Sequence, residues 1–106
     1  MISFEDFKKL ELRIATVIEA KPHPNADRLY VLDIAVGEEK KQIVAGIRSY
    51  YSASELVGKK VVVVNNLESA VIRGVESQGM LLAANSTDQV VLLVPDREVS
   101  SGVVVR

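Results

Sequence analysis

The cationic side chains of this chain are grouped rather than scattered. Lys40 and Lys41 stand together, Lys59 and Lys60 form a second pair, and Arg48 and Arg73 complete the set across the middle third. Residues 1–39 hold five Lys or Arg against eight Asp or Glu, residues 40–73 six against two, and residues 74–106 two against four. The formal charge of −1 therefore conceals local balances of −3, +4 and −2. Charges more than about 8 Å away are screened at physiological salt, so an anionic ligand responds to the local balance rather than to the total. Ammonium and guanidinium groups placed this way contact phosphate oxygens without reading sequence. The plainer alternative makes Lys40–Lys41 and Lys59–Lys60 two solvated turn pairs.

Other residues add shape to this charge. Arg48 is followed by Tyr50 and Tyr51, a guanidinium and two rings on which an unstacked base can lie, although one ring of such a pair is expected to go into packing. The stretch RGVESQGMLLAA, residues 73–84, sets Arg73, Gly74, Glu76, Ser77, Gln78 and Gly79 against an apolar run. A small hydroxyl, an amide and a missing side chain let a polymer backbone or a base approach the main chain, with Met80 as a pliable apolar contact beside them. A strand bulge would explain the glycines equally well but gives no reason for Ser77 and Gln78. In PNADRL, Asn25 is a contact candidate, whereas Asp27 would repel phosphate unless it orients Arg28; both also suit loop-holding hydrogen bonds. Asn65 and Asn66 interrupt an apolar strand with amides on opposite faces, and Asn65 is the one expected to point outward toward a ligand. His23, the only histidine, lies between two prolines without a second ligand-type neighbour, which reads as a plain loop residue rather than a metal ligand.

Catalytic patterns do not appear. There is no Ser, His and acid set at a recognisable spacing, no GxxxxGK[ST] phosphate loop and no paired-ligand metal pattern. With no cysteine there is no disulfide and no thiolate chemistry, so a cytoplasmic home is the default expectation, and no cofactor is expected. The N-terminus MISFEDFKKLELR carries charge where a signal peptide needs an apolar stretch, and no apolar run approaches the roughly 18 residues of a membrane span.

These residues must be positioned by a chain that reads mostly as strands. Its 106 residues suit one domain, which at this size buries roughly 65% of the surface its unfolded chain exposes. Ser3 with Asp6 resembles a helix cap ahead of one or two turns bearing Phe4, Phe7 and Leu10. Strands are expected at 12–20, at 28–37 with Tyr30, Leu32, Ile34 and Val36 on one face, and at 42–47. The EEKK segment would make the hairpin turn between the last two, carrying Lys40 and Lys41. Ser52 and Glu55 form a second capping pattern, with Gly58 as the stop of a single helical turn. Further strands follow at 59–67, in AVIRG (70–74), in GMLLAA (79–84) and at 89–95. Five to seven short strands, no repeat and no long linker leave a small closed barrel or a sandwich, the barrel being the simpler way to hide strand edges.

Four blocks, PNADRLYVLDIAVG, QIVAGI, ELVGKKVVVVNNL and RGVESQGMLLAA, together resemble the tRNA-binding domain found at the C-terminus of bacterial methionyl-tRNA synthetases and as free-standing small subunits. The resemblance runs from about Phe4 to Arg106 with the blocks in order. It implies an all-β, five-stranded OB-fold barrel with short helical turns and a C-terminal β extension. It also implies a tRNA partner bound largely by shape and phosphate backbone, with little sequence preference. Candidate contacts under this reading are Asn25, Arg28, Lys40, Lys41, Arg48, Lys59, Lys60, Asn65, Arg73, Ser77, Gln78 and Met80.

The free-standing and synthetase-attached bacterial forms of this family are usually homodimers whose extra C-terminal segment helps make the dimer, so residues 89–106, QVVLLVPDREVSSGVVVR, are expected by this resemblance to do that here. The protein would then be a non-catalytic helper, the beta subunit or appended domain that delivers or retains tRNA for a methionyl-tRNA synthetase catalytic chain. A start at Met1 ahead of a capped helix leads one to expect an intact small protein. A related branch of the same fold comprises dimeric, export-linked, chaperone-like proteins that bind extended peptides; the SQGMLLAA block favours the synthetase-associated branch.

Overall fold

The structure is a computed structural model describing residues 1–106. In chain order its elements are α1 (Phe4–Phe7), β1 (Leu12–Pro22), β2 (Tyr30–Val36), β3 (Glu39–Ala45), α2 (Ala53–Leu56), β4 (Lys60–Val64), β5 (Ala70–Ile72), β6 (Val75–Ser77), β7 (Met80–Leu81), β8 (Ala83–Asn85), β9 (Val90–Leu92) and β10 (Val104–Val105). Five strands form an antiparallel path in the order β3-β2-β1-β4-β7, and β10 adds to β1.

The long β1 strand makes the sheet curl. Its first half pairs β4, from Leu12 opposite Val64 to Thr16 opposite Lys60, and its second half pairs β2, from Thr16 opposite Ala35 to Pro22 opposite Tyr30. Between Val17 and Glu19 the register shifts, leaving Ile18 outside the ladder and half exposed. A bulge bends its strand and increases its twist, and a strand that serves two neighbours in succession must bend. Strand β2 alternates as its sequence requires: Tyr30, Leu32, Ile34 and Val36 are buried. The innermost residues are Val17, Leu32, Ile34, Ile43, Ile47, Leu56, Val61 and Val63.

In β4, Val61 to Val64 are all buried, because the outer face is covered by the C-terminal chain. The Val62 amide donates to the Leu93 carbonyl at 3.3 Å, and the Leu82 amide donates to the Val62 carbonyl at 2.9 Å. The apolar run 80–84, expected as one strand, is therefore divided between two, β7 on β4 and, beyond Leu82, β8 on β9.

Lys40 and Lys41 do not lie in the β2–β3 turn. They sit in the ladder opposite Ala35 and Ile34. Gly37 takes a positive φ of 62°, which permits a two-residue turn through Gly37 and Glu38, so the last three residues of EEKK extend β3. The helix caps form as expected. The Ser3 hydroxyl accepts from the Asp6 amide at 3.0 Å, and Ser52 with Glu55 makes a full capping box.

The remaining edge of β3 is closed by two side chains. The Val44 amide donates to Ser77 Oγ at 2.9 Å, and that hydroxyl donates to the Gly79 carbonyl at 3.0 Å. The Gln42 amide donates to Gln78 Oε1 at 2.9 Å, and the Gln78 amide donates to the Gln42 carbonyl at 2.8 Å. A buried strand edge must satisfy its amides, and here a hydroxyl and an amide supply what a fully paired sixth strand would. Gly79 is needed beside them, since a Cβ there would meet the Val64 carbonyl oxygen at 3.0 Å.

Candidate nucleic-acid interface

The loop between β1 and β2 is held by His23, which is buried to 3% exposure. Its Nδ1 accepts from the Asn25 amide at 2.9 Å, so the ring proton belongs on Nε2, which donates to the Ile72 carbonyl at 2.9 Å. Two further bonds cross the same gap: Asn25 Nδ2 donates to the Arg73 carbonyl at 3.2 Å, and Arg73 Nη2 donates to the Asn25 carbonyl at 3.0 Å. The β5–β6 turn is Arg73–Gly74, with φ of 53° and 90°, a hairpin turn that needs two left-handed residues in succession. That conformation brings Arg73 to the β1–β2 loop.

A cleft of about 450 Å³ results, lined by Asn25, Ala26, Asp27, Arg28, Leu29 and Arg73. Arg48 adjoins it, its amide donating to the Arg28 carbonyl at 3.4 Å. Arg28, Arg48 and Arg73 make no ion pair, so the positive charge at this end of the barrel is not spent on a partner carboxylate, although Arg73 gives one guanidinium N–H to the Asn25 carbonyl. Asp27 is the single carboxylate lining the cleft and offsets part of this charge. Tyr50 is exposed nearby in sequence, whereas Tyr51 is used in packing: its hydroxyl accepts from the Leu92 amide and its carbonyl accepts from Tyr30.

A second concavity of about 280 Å³ runs beside β3 and β7, with Gly46, Ser77 and Gly79 among its lining and the half-exposed Leu67 and Met80 at its rim. Ile72 lines it too, so the apolar groove and the arginine cleft share the β5–β6 hairpin as a common wall.

Other expected contacts lie elsewhere or are occupied. Lys40 is exposed and unpaired, but it sits at the opposite end of the β2–β3 ladder from Arg28 and Arg48. Lys41 is largely covered; its ammonium donates to the Asn65 carbonyl at 2.7 Å and pairs with Glu39 at 3.6 Å. Lys60 is bound by the Glu98 carboxylate and the Val99 carbonyl, which fastens the C-terminal segment to the barrel. Its unpaired neighbour Lys59 lines a different cleft with Asp96, Arg97 and Glu98.

Asn65 turns inward rather than toward a ligand, with Nδ2 donating to Glu11 at 3.2 Å. That bond and the Arg13 guanidinium at 2.9 Å hold the Glu11 carboxyl below its ordinary range. Asn66 joins the same end of the barrel to the N-terminal turn, accepting from the Glu11 amide and donating to the Lys9 carbonyl. The side chains of Ser77 and Gln78 are likewise engaged within the chain, because the β3 edge uses them. The clearest omission of the sequence reading is His23: its place between two prolines looked like ordinary loop chemistry, and no linear signal ties it to Ile72, 49 residues away.

Comparison with known proteins agrees with this architecture. The family model described as "Putative tRNA binding domain" matches residues 12–104. The chain is 52% identical over 105 residues to methionine–tRNA ligase of Thermococcus kodakarensis, covering 99% of this chain and 14% of the ligase. Against the ligase of Thermotoga maritima it is 54% identical over 101 residues, 95% of this chain and 16% of the ligase. The chain thus spans a small fraction of these relatives' length.

Among solved structures, a MetRS related protein from Pyrococcus horikoshii superposes with a TM-score of 0.93 at 34% identity, covering all of this chain and 98% of that one. The chaperone CsaA of Bacillus anthracis superposes with a TM-score of 0.90 at 34% identity, covering all of this chain and 99% of that one. The curled five-strand path is the OB-type fold these neighbours share, and the chain belongs to the tRNA-binding domain family.

Proposed function

We propose that the protein is a non-catalytic tRNA-binding subunit or domain that holds tRNA through its phosphate backbone and shape at the barrel end carrying Asn25, Arg28, Arg48 and Arg73. The observation that carries this reading is the gathering of Arg28, Arg48 and Arg73, none of them in an ion pair, on segments that meet at one end of an OB-type barrel of the tRNA-binding domain family. Met80, at the rim of the adjoining groove, supplies an apolar contact to a base. Lys40 and Lys59 serve as peripheral phosphate contacts on a large ligand, while Lys41, Lys60, Asn65, Ser77 and Gln78 act indirectly by holding the barrel and its extension in shape.

Two copies assemble through an apolar surface at the chain ends: Ile2, Phe4, Leu10 and Val104 are all at least two-fifths exposed, and a concavity of about 380 Å³ lies among Phe4, Phe7, Leu10, Val104 and Val105. A dimer offers two arginine faces. It raises the local concentration of tRNA beside a methionyl-tRNA synthetase catalytic chain in the cytoplasm, and lowers the apparent Michaelis constant more than it raises turnover.

The apolar groove beside β3 and β7 and the likeness to the chaperone CsaA favour one second reading, an extended peptide as ligand. A salt titration separates the two. Binding of unfractionated tRNA should weaken log-linearly as salt rises, whereas capture of an apolar peptide should change little. Equal competition by duplex and single-stranded RNA would defeat recognition by shape.

A further inference from the structure

We propose that His23 is a positioning residue for tRNA binding: its imidazole, inserted between the β1–β2 loop and the β5–β6 hairpin, sets the separation of Arg28 and Arg73. The inference rests on the tRNA-binding reading above and names a residue outside the phosphate-contacting set. Strands β5 and β6 pair only with each other and belong to no ladder of the main sheet. Their base is anchored at Ser77, which bonds Val44 of β3, but the turn at residues 72–74 projects beyond that anchor.

Three hydrogen bonds reach that turn from the β1–β2 loop. Two of them, the reciprocal Asn25 and Arg73 bonds, are exposed to water. Exposed hydrogen bonds exchange with solvent at little net change in free energy and define position poorly. The third, from His23 Nε2 to the Ile72 carbonyl, comes from a ring that is 3% exposed. Breaking it strands a polar group away from water, so it is the one that fixes the turn.

The same ring fixes the other side of the cleft. Nδ1 accepts from the Asn25 amide and sets the backbone on which Arg28 stands three residues later. No side chain bonds either ring nitrogen; the charged groups of those two segments are Asp27 and Arg28 on the loop and Arg73 and Glu76 on the hairpin, and of these Asp27, Arg28 and Arg73 line the cleft. A neutral group at this point leaves the charge of the cleft unchanged and governs only its geometry.

Charge-neutral substitutions exploit that separation. Glutamine places an amide N–H near the position of Nε2, and asparagine places a carbonyl near the position of Nδ1. Affinity for unfractionated tRNA at fixed salt is measured for the parent, His23→Gln, His23→Asn, Arg73→Ala and the His23→Asn, Arg73→Ala double variant, with thermal melts alongside. His23→Gln is expected to stay within about threefold of the parent and His23→Asn to weaken about tenfold. In the Arg73→Ala background His23→Asn should change affinity less than about twofold, since the residue it positions is gone.

Undiminished loss in the Arg73→Ala background, or no loss in His23→Asn, overturns the proposal while leaving tRNA binding intact. A parent that does not bind tRNA instead defeats the underlying functional reading. Should His23→Asn fail to fold, the ring of the parent decides by nitrogen NMR. A proton on Nε2 that exchanges slowly and shifts when Arg73 is replaced supports the assignment, and a proton on Nδ1, or indifference to Arg73, overturns it.

Discussion

At the scale of single residues, polar side chains do two separate jobs, and exposure sorts them. Ser77 is 3% exposed and its hydroxyl is the acceptor for the Val44 amide. Ser77→Ala should therefore leave a buried N–H unsatisfied and cost about 1–3 kcal/mol in chemical denaturation, without altering the salt dependence of tRNA binding. Glu11 is a contrasting case at the surface. Its carboxyl is held below the ordinary value of 4.5, first by the Asn65 amide and then by Arg13. A carboxylate whose folded value is lowered contributes stability above the unfolded value and loses that contribution as pH falls through the folded one. Glu11→Gln should accordingly melt lower than the parent at pH 7, and the gap should shrink steadily as the buffer is taken below about pH 4.5. A gap independent of pH would remove the carboxylate from the account.

Elements decide which cations are free. Lys59 and Lys60 are neighbours in sequence, yet Lys60 starts β4 and is captured by Glu98 and Val99, whereas Lys59 has no ion pair. The arginines converge because three separate turns end at the same place: the β1–β2 loop, the segment after β3 and the β5–β6 hairpin. Replacing Arg28, Arg48 or Arg73 by alanine should lower the slope of log affinity against log salt by about one each, and Lys60→Ala should leave that slope unchanged. Filter binding between 50 and 200 mM salt would check both. The C-terminal extension docks on the β2–β3 turn with no space to spare. A Cβ on Gly102 would lie 2.9 Å from the Gly37 main chain, at a φ of 93° that disfavours side chains. Gly102→Ala should destabilise the protein by about 1–3 kcal/mol and loosen the segment from Val99 onward, seen as faster amide exchange at Ile14, whose amide donates to Val103.

For the whole molecule, the apolar surface left at the chain ends is a feature the monomer does not account for. Phe4 is 69% exposed and Val104 42%, and both line one concavity. Phe4→Glu combined with Val104→Glu should convert the proposed dimer to a monomer in size-exclusion chromatography. It should also weaken tRNA binding at least tenfold if both faces engage one assembly, since linked sites gain from effective concentration. A wild-type chain that elutes as a monomer and leaves tRNA unshifted would sink the dimer and the tRNA reading together.

Strand pattern and charge grouping were legible because each depends on near neighbours. The alternation in β2, the two helix caps and the excess of cations in residues 40–73 follow from side-chain period and from residues a few positions apart. The resemblance in four ordered blocks gave the barrel its family. What linear order could not display was the pairing of distant groups. The bonds of Ser77 and Gln78 to β3 span 33 and 36 residues, the His23 bond to Ile72 spans 49, and Glu11 meets Asn65 across 54. A polar side chain in a loop or strand reads the same in one dimension whether it faces a ligand or closes a backbone edge. Only the closing of the sheet decides, because it buries certain amides and carbonyls, and those must be satisfied before any partner is met.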